Sequence, residues 1–333
     1  MTSLRACVIG CGEMGRHHVR ALSSMPDVEL LAVADPDPQA AAVAVRGRTL
    51  QAYTDPAALF RAHEIDLAVV AVPTAAHGPA AIQALEAGAN VLVEKPIATD
   101  LATAAAIGDA AKKAGKIVTV GHIERFNPAI VEMRRRVAAG EIGMPFQIVA
   151  RRTGPFPTRV RDVGVIMDLA THDLDAIRFI SGSPFASLYA KTAQHLHENH
   201  EDLVAILGRL RNGVIATLDV NWLTPRKVRE LRVVGEGGML VADYLRQDLV
   251  LAHNGDRGAV FGEGSFVGVS EGEVVQFQLV RKEPLAAELE AFVSAIVSGG
   301  DAPVSIDEAV ETLRAAEAAL ASSASGAPVL LEA

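Results

Sequence analysis

Two residues of this 333-residue chain have the chemical type and setting for acid–base chemistry. Lys95 stands in the tripeptide Glu94-Lys95-Pro96, and His172 follows Asp168 by four residues. An ammonium group can hydrogen-bond a hydroxyl and stabilise negative charge on its oxygen, while an imidazole can accept the hydroxyl proton near neutral pH. The alternatives are that Lys95 is a solvated surface residue and that Asp168 and His172 form a pair on a helix surface.

A glycine-rich loop near the start of the chain predicts a nucleotide-binding site. The segment Gly10-Cys11-Gly12-Glu13-Met14-Gly15 directly follows an apolar run, and a helix is expected to begin at about Met14. The three glycines suit a tight turn, close approach of a diphosphate, and close packing of the helix on the strand. The helix N-terminus then offers free N–H groups to the phosphates.

An aspartate with the spacing of a ribose ligand follows this loop. About 20 residues after Gly15, the second apolar run ends at Asp35, whose carboxylate can accept both ribose hydroxyls of an adenosine. Asp35 and the nearby Asp37 would repel a 2′-phosphate, so we predict NAD as the cofactor rather than NADP. The alternative is that Asp35 only starts a turn with Pro36.

The hydrophobic pattern predicts two domains. From Leu4 to about His122, short apolar runs alternate with alanine-rich amphipathic stretches, which is typical of a doubly wound parallel sheet in an α/β fold. These runs are 6–9, 28–34, 67–72, 90–93 and 117–120. Beyond Pro128, a helix over 129–139, alternating segments from about Pro145 to Val280 and a helix over 168–180 predict an α+β domain with an open, mostly antiparallel sheet. We expect domains over 1–122 and 123–333; an alternative is that the helices from about residue 284 pack back on the first domain.

Composition excludes several classes of protein. A formal net charge of −9 disfavours a nucleic-acid or anionic-membrane partner. No apolar run reaches the roughly 18 residues of a membrane span, and no signal peptide precedes Leu4, so we expect a cytoplasmic protein. Cys7 and Cys11 do not have the spacing of a disulfide or a zinc pair. The histidines at 195, 197 and 200 have metal-like spacing but no supporting carboxylate or cysteine pattern, so we expect no metal.

Taken together, these motifs resemble the glucose-fructose oxidoreductase, inositol dehydrogenase and rhizopine catabolism (Gfo/Idh/MocA) family over nearly the whole chain. The resemblance implies a Rossmann domain followed by an open-sheet domain that mediates homodimers or homotetramers. It implies that Lys95 and His172 form the catalytic pair, with Asp168 orienting the imidazole or sharing its proton. The residues that carry the resemblance and are expected to bind the cofactor are Gly10, Gly12, Glu13, Met14, Gly15, Asp35, Pro73, Thr74, His77 and Glu94.

Two segments bear on the substrate. The segment over 121–128 resembles that of family members that oxidise UDP-linked N-acetylhexosamines at the 3-hydroxyl, which implies substrate contacts from His122, Arg125 and Asn127. The alternative is that Arg125 and Asn127 tie the two domains together. Arg152 and Arg161, with Arg151 and Arg159 beside them, are of the type that pairs with a diphosphate, unless they lie on a solvated strand and loop.

The expected activity is NAD-dependent oxidation of a secondary hydroxyl on a sugar, with a UDP-N-acetylhexosamine as the leading substrate. Family members often have a glycine-rich run before the aspartate, and residues 162–167 depart from it, which loosens the substrate assignment. Inositol or a free sugar is the alternative substrate. A non-catalytic NAD-binding sensor is the alternative of another class.

Overall fold

The computed structural model describes residues 3–157, 163–255 and 271–331, which divide into two compact units. The first unit runs to Ile123 and includes Glu283–Leu313, and the second holds Glu124–Lys282 and the chain from Arg314 onward. A six-stranded parallel sheet in one unit and a nine-stranded, mostly antiparallel sheet in the other confirm the predicted fold class. Across the described residues, no helix has both the length and the apolarity that a bilayer span requires.

The first unit alternates strands and helices, and its central strands β4 and β5 are buried on both faces. Its sheet has the order β3-β2-β1-β4-β5-β6 with every neighbouring pair parallel. The elements are β1 Leu4–Ile9, α1 Glu13–Leu22, β2 Val28–Ala34, α2 Pro38–Val45, β3 Gln51–Tyr53, α3 Pro56–Ala62, β4 Leu67–Val70, α4 His77–Glu86, β5 Asn90–Glu94, α5 Leu101–Ala114 and β6 Val118–Gly121.

This strand order brings the predicted cofactor motifs to one edge of the sheet. The direction of winding reverses between β1 and β4, and ligands of such sheets bind at this reversal, outside the carboxyl ends of the strands. The glycine loop follows β1, Asp35 follows β2, and Lys95 follows β5. All three therefore lie at the edge where a dinucleotide binds.

Two details of the first sheet differ from the sequence-based expectation. The fourth strand ends at Val70 rather than at residue 72, and a 3₁₀ turn over Thr74–Ala76 leads into α4. The three-residue strand β3 was not predicted, because it is half exposed and too short to form a visible apolar run.

The second unit begins with a helix and then forms the larger sheet. The sheet order is β14-β13-β12-β11-β7-β10-β9-β8-β15, in which only β7 and β10 pair in parallel. The elements from residue 128 onward are α6 Pro128–Ala138, β7 Pro145–Thr153, α7 Thr171–Ser181, β8 Phe185–Ala193, β9 Leu203–Leu210, β10 Ile215–Asn221, β11 Val228–Gly235, β12 Gly238–Asp243, β13 Asp248–Asn254, β14 Glu271–Phe277, α8 Pro284–Ser298, α9 Ile306–Ser325 and β15 Val329–Leu330. Of these, α8 and the first part of α9, as far as Leu313, belong to the first unit.

One face of the large sheet is covered by helices and the other is open. Alternate residues of β7, including Ile148 and Ala150, pack with Met133 of α6 and Leu174 of α7 in one core. On the strands, Phe146, Leu207 and Ile215 are exposed apolar side chains. The homodimer or homotetramer implied by the family resemblance stays a prediction.

The helix that carries His172 does not begin as a regular α-helix. Residues Ile166–Ala170 form a π-helical turn, and α7 then runs from Thr171 to a left-handed Gly182. The helix predicted over 168–180 is thus present, and its first turn is π-helical rather than α-helical. Single π-helical turns occur frequently at functional sites.

The helix α8 belongs to the first unit. Its apolar face joins the core that contains Val19 and Leu22 of α1. The residues that make this face are Leu285, Leu289 and Phe292, which recur at helical spacing.

Candidate active site

The three glycines of the loop have different structural requirements. Gly10 has φ +94°, and a Cβ there would lie 2.4 Å from the carbonyl oxygen of Ala71. A Cβ on Gly15 would lie 1.8 Å from the carbonyl oxygen of Gly10. A Cβ on Gly12 would meet no protein atom within 4 Å. Gly10 and Gly15 are thus fixed by packing, whereas the space beside Gly12 is open for a diphosphate to approach.

Asp35 is held against the loop by two backbone hydrogen bonds. Its Oδ2 accepts the N–H of Cys11 at 2.6 Å, and its Oδ1 accepts the N–H of Asp37 at 2.9 Å. The turn after β2 and the contact with the glycine loop are therefore made by the same carboxylate. Glu13 is exposed and Met14 half-buried in the first turn of α1, where the helix N–H groups point outward.

The backbone of Lys95 is anchored by the buried carboxylate before it. Glu94 Oε2 accepts the N–H of Lys95 at 3.2 Å, and Glu94 Oε1 lies 2.8 Å from His18 Nε2. Burial acts to raise the pKa of Glu94, but the hydrogen bond and charge of His18 outweigh it, so that pKa lies below its ordinary value. Lys95 itself is half-buried, and its peptide bond to Pro96 is cis.

His77 fastens this turn to the neighbouring loop. Its Nδ1 lies 2.8 Å from the carbonyl oxygen of Pro96, and its Nε2 lies 3.0 Å from that of Val72. Burial lowers the pKa of this imidazole. Pro73 is exposed and Thr74 half-buried in the loop that His77 holds. His77 therefore acts on the site by positioning the two loops.

Two buried titratable residues near Glu94 were not predicted as part of the site. His18 is fully buried on α1, and Glu288 is 1% exposed on α8. Burial, and secondarily the charge of Glu94, raise the pKa of Glu288 well above its ordinary value. The sequence does carry a signal for Glu288, because it shares the helix face of Leu285 and Leu289.

The second unit supplies the other predicted catalytic residues. Asp168 lies in the π-helical turn and His172 near the start of α7, and both are half-buried. Asp168 lies close enough to Arg229 of β11 to raise the pKa of that arginine. Lys95 belongs to the first unit and His172 to the second, and their joint action is a proposal.

Arg125 and Asn127 are engaged inside the second unit. The Nε and Nη2 of Arg125 donate to both carboxylate oxygens of Asp175 at 2.8 Å, and its guanidinium lies over the Phe179 ring. Asn127 caps α6 and donates its side-chain N–H to the carbonyl oxygen of Tyr244 at 3.1 Å. These contacts are structural, and they lie within one unit rather than between the two domains. His122 is buried in the first unit.

Arg152 is enclosed by carboxylates rather than open to a ligand. It is 4% exposed, its Nε and Nη2 donate to Asp173 at 2.7 and 3.1 Å, and its Nη1 lies 2.8 Å from Glu124. Both carboxylates come from its own unit. Arg161, like Arg159, lies outside the described residues. The geometry thus gives Arg152 a role in packing two segments together.

The histidine-rich loop after β8 forms hydrogen bonds and ring contacts of its own. Nδ1 of His197 accepts the N–H groups of Asn199 and His200 at 3.1 Å, and its ring stacks on Trp222. One carboxylate oxygen of Asp202 accepts three successive backbone N–H groups of this loop. Among the described residues, no cluster of three or more histidine, cysteine or acidic side chains is arranged to hold a metal.

NAD-binding oxidoreductases typically have these features: a glycine loop after β1, an aspartate after β2 and a ligand site at the carboxyl edge of the sheet. Residues 4–122 match the model of an oxidoreductase family with an NAD-binding Rossmann fold, and residues 130–241 match the Gfo/Idh/MocA C-terminal domain. The chain belongs to the Gfo/Idh/MocA oxidoreductase family, as the resemblance predicted.

Known relatives act on different hydroxylated substrates. The chain is 31% identical over 298 residues to UDP-N-acetylglucosamine 3-dehydrogenase of Acidithiobacillus ferrooxidans, an alignment that covers 90% of each. A solved structure of that enzyme superposes with a TM-score of 0.84 and covers 97% of this chain and 98% of the other, at 28% identity. The chain is 26% identical to scyllo-inositol 2-dehydrogenase (NAD(+)) of Bacillus subtilis over 99% of this chain and 96% of the relative.

Proposed function

We propose that this oxidoreductase oxidises a secondary hydroxyl of a sugar by removing hydride from the carbon that bears it, and that its substrate is a UDP-N-acetylhexosamine oxidised at the 3-hydroxyl. The reaction class is supported by the Glu94-Lys95 turn, which is fixed at the carboxyl edge of the parallel sheet. At the same edge, the loop after β1 leaves room beside Gly12 for a diphosphate. Alcohol oxidation needs a hydride acceptor, which NAD supplies, and a group that stabilises charge on the oxygen, which the ammonium group of Lys95 can be.

The residues divide the chemistry between them. When bound, NAD supplies the carbon that accepts the hydride. His172 takes the hydroxyl proton, Lys95 stabilises the oxygen as charge develops, and Asp168 orients the imidazole or shares its proton. Glu94 and His77 hold the Lys95 turn in place. Asp35 accepts the ribose hydroxyls and disfavours a 2′-phosphate.

The substrate proposal is supported by the relatives. The curated relative at 31% identity is named for UDP-N-acetylglucosamine, and the one at 26% identity is named for scyllo-inositol. Inositol is therefore the second candidate substrate. A non-catalytic sensor would not need Lys95, whose turn is fixed by the buried Glu94 and the buried His77.

The experiment compares Lys95→Met and His172→Asn with the unaltered protein. NADH formation is followed with UDP-N-acetylglucosamine, UDP-N-acetylgalactosamine, free sugars and inositols, and with NADP in place of NAD. We expect turnover to fall about 100-fold or more in each variant, because a general base or an oxyanion-stabilising group is lost. The dissociation constant for NAD should stay within about twofold, since neither side chain is needed for the dinucleotide.

The matched control is Lys113→Met, which removes an exposed lysine from α5. It should leave turnover unchanged. Near-normal turnover in the Lys95 or His172 variant would contradict the assigned roles. Tight NADH binding with no oxidation of any substrate in the panel would favour the sensor, and oxidation of inositols alone would replace the proposed substrate with a polyol.

A further inference from the structure

The second unit contains a basic cavity that none of the proposed catalytic residues lines. Its volume is ≈ 400 Å³, and it lies where β7 ends and β11 begins. Five cationic side chains line it, against the two carboxylates of Glu230 and Asp243; they are Arg151, Arg226, Lys227, Arg229 and Arg246. This concentration of positive charge is unusual for a chain whose formal net charge is −9.

Each of the two carboxylates of the cavity has partners, and those of Asp243 include a lining cation, because its Oδ2 lies 3.9 Å from Nε of Arg246. Glu230 Oε1 lies 2.6 Å from Nη2 of Arg232, which is not among the lining residues. Asp243 Oδ1 accepts the backbone N–H groups of Leu245 and Arg246 at 2.9 and 3.1 Å. Arg151 also lies 3.5 Å from Asp219, so the positive charge of the cavity comes mainly from Arg226, Lys227 and Arg229. The first two of these lie on the exposed loop between β10 and β11.

Arg229 lines this cavity and lies close enough to Asp168 for that carboxylate to favour its charged form. Its Nη1 donates to the carbonyl oxygens of Thr153 at 2.7 Å and of Val228 at 2.8 Å, so its guanidinium is fixed at the strand ends. Burial and the charge of Arg152 lower the pKa of Arg229 to about 10, whereas Asp168 acts in the opposite direction. An anion beside Arg229 would relieve the unfavourable positive surroundings.

We propose that this cavity binds the diphosphate of a nucleotide-linked sugar, with the sugar extending toward Asp168 and His172. The inference rests on the proposed function and locates the charged half of its substrate. Guanidinium groups pair with phosphate oxygens through two parallel hydrogen bonds, and the volume lies within the usual range for ligand pockets. A free polyol has no charge for these groups to bind. Arg226 and Arg229 thereby take the role that the sequence suggested for Arg152.

The experiment measures binding of UDP to the full chain by calorimetry, with inorganic pyrophosphate and myo-inositol as further probes. Arg226→Glu replaces an attractive charge with a repulsive one and should weaken UDP binding by about tenfold or more. Arg226→Lys keeps the charge and should retain most of the affinity. UDP affinity of the unaltered protein should fall with rising salt.

The matched control is Arg211→Glu, which reverses an exposed arginine on the turn between β9 and β10, outside the cavity. It makes the same change in net charge and should leave UDP binding within about twofold, because exposed charges beyond a Debye length are screened. NAD affinity, measured in every variant, should not change and reports that the chain is folded.

The possible outcomes separate this inference from the proposed function. Equal UDP binding in Arg226→Glu and Arg211→Glu would overturn the cavity assignment while leaving the dehydrogenase intact. Failure of the unaltered protein to bind UDP or pyrophosphate, together with oxidation of inositol, would also overturn it. If Arg226→Glu selectively lost UDP binding and the unaltered protein formed no NADH from any substrate, the cavity assignment would be supported and the proposed reaction contradicted.

Discussion

The cofactor edge of the first unit and the cluster around Arg152 in the second unit fix their polar residues in different ways. In the first, backbone N–H groups hold the carboxylates in place, because Asp35 accepts two backbone N–H groups and Glu94 accepts the N–H of Lys95. In the second, side chains pair with side chains from distant segments, as Arg152 does with Asp173 and Glu124. A site held by backbone groups tolerates exchange of neighbouring side chains, whereas a site of paired buried charges depends on every partner.

The strongest test of this difference removes one partner of the buried pair. Arg152→Met leaves Asp173, which is 1% exposed, without its guanidinium partner. We expect a loss of about 3–5 kcal/mol in the free energy of unfolding, because an uncompensated charge stays buried. The measurement is urea unfolding followed by circular dichroism at neutral pH.

The adjacent residue supplies the control for that experiment. Arg151 is next to Arg152 on β7 but points to the opposite, exposed face, and its nearest carboxylate is that of Asp219 at 3.5 Å. Arg151→Met should therefore change the free energy of unfolding by less than about 1 kcal/mol. Similar losses in the two variants would show that the buried pairs are not what distinguishes the second unit.

This difference also explains how much could be predicted from the sequence. The glycine loop and Asp35 could be proposed from the sequence because a turn, a helix start and a strand end are encoded within contiguous residues. The pairing of Arg125 with Asp175, 50 positions apart, depends on the fold and leaves no local pattern. Arg125 and Arg152 resemble ligand contacts in sequence, because an arginine looks the same whether its partner is a phosphate or a buried carboxylate.

A second test compares two glycines of one loop. Gly15→Ala places a methyl group 1.8 Å from the carbonyl oxygen of Gly10, so we expect a loss of about 1–3 kcal/mol in stability. Gly12→Ala meets no protein atom within 4 Å and should cost less than about 1 kcal/mol. It should nevertheless weaken NAD binding about tenfold, because its methyl group occupies the space into which the diphosphate comes.

Thermal unfolding without NAD and NAD titration separate these two effects. The fold should be destabilised mainly by Gly15→Ala, and NAD affinity should fall in Gly12→Ala with little change in melting temperature. Unaltered NAD affinity in Gly12→Ala would show that the diphosphate does not bind in the space beside Gly12.

The smallest expected effect concerns Glu288, the buried carboxyl of the first unit. Its pKa lies well above the ordinary value of 4.5, because burial and the charge of Glu94 disfavour ionisation. Above about pH 4.5 the unfolded chain releases this proton while the folded chain keeps it, so Glu288 lowers stability progressively as the pH rises. Glu288→Gln cannot ionise, and its stability relative to the unaltered protein should improve by about 1 kcal/mol between pH 5 and 6.

Urea unfolding at pH 5, 6 and 7 measures this difference, and Glu290→Gln on the exposed face of the same helix is the control. The control should follow the unaltered protein at every pH, because Glu290 is exposed on α8 and is not moved out of water by folding. If the advantage of Glu288→Gln did not grow with pH, Glu288 would be ionised in the folded protein. The first unit would then contain an uncompensated buried charge beside Glu94, and its reliance on backbone hydrogen bonds would not distinguish it from the second.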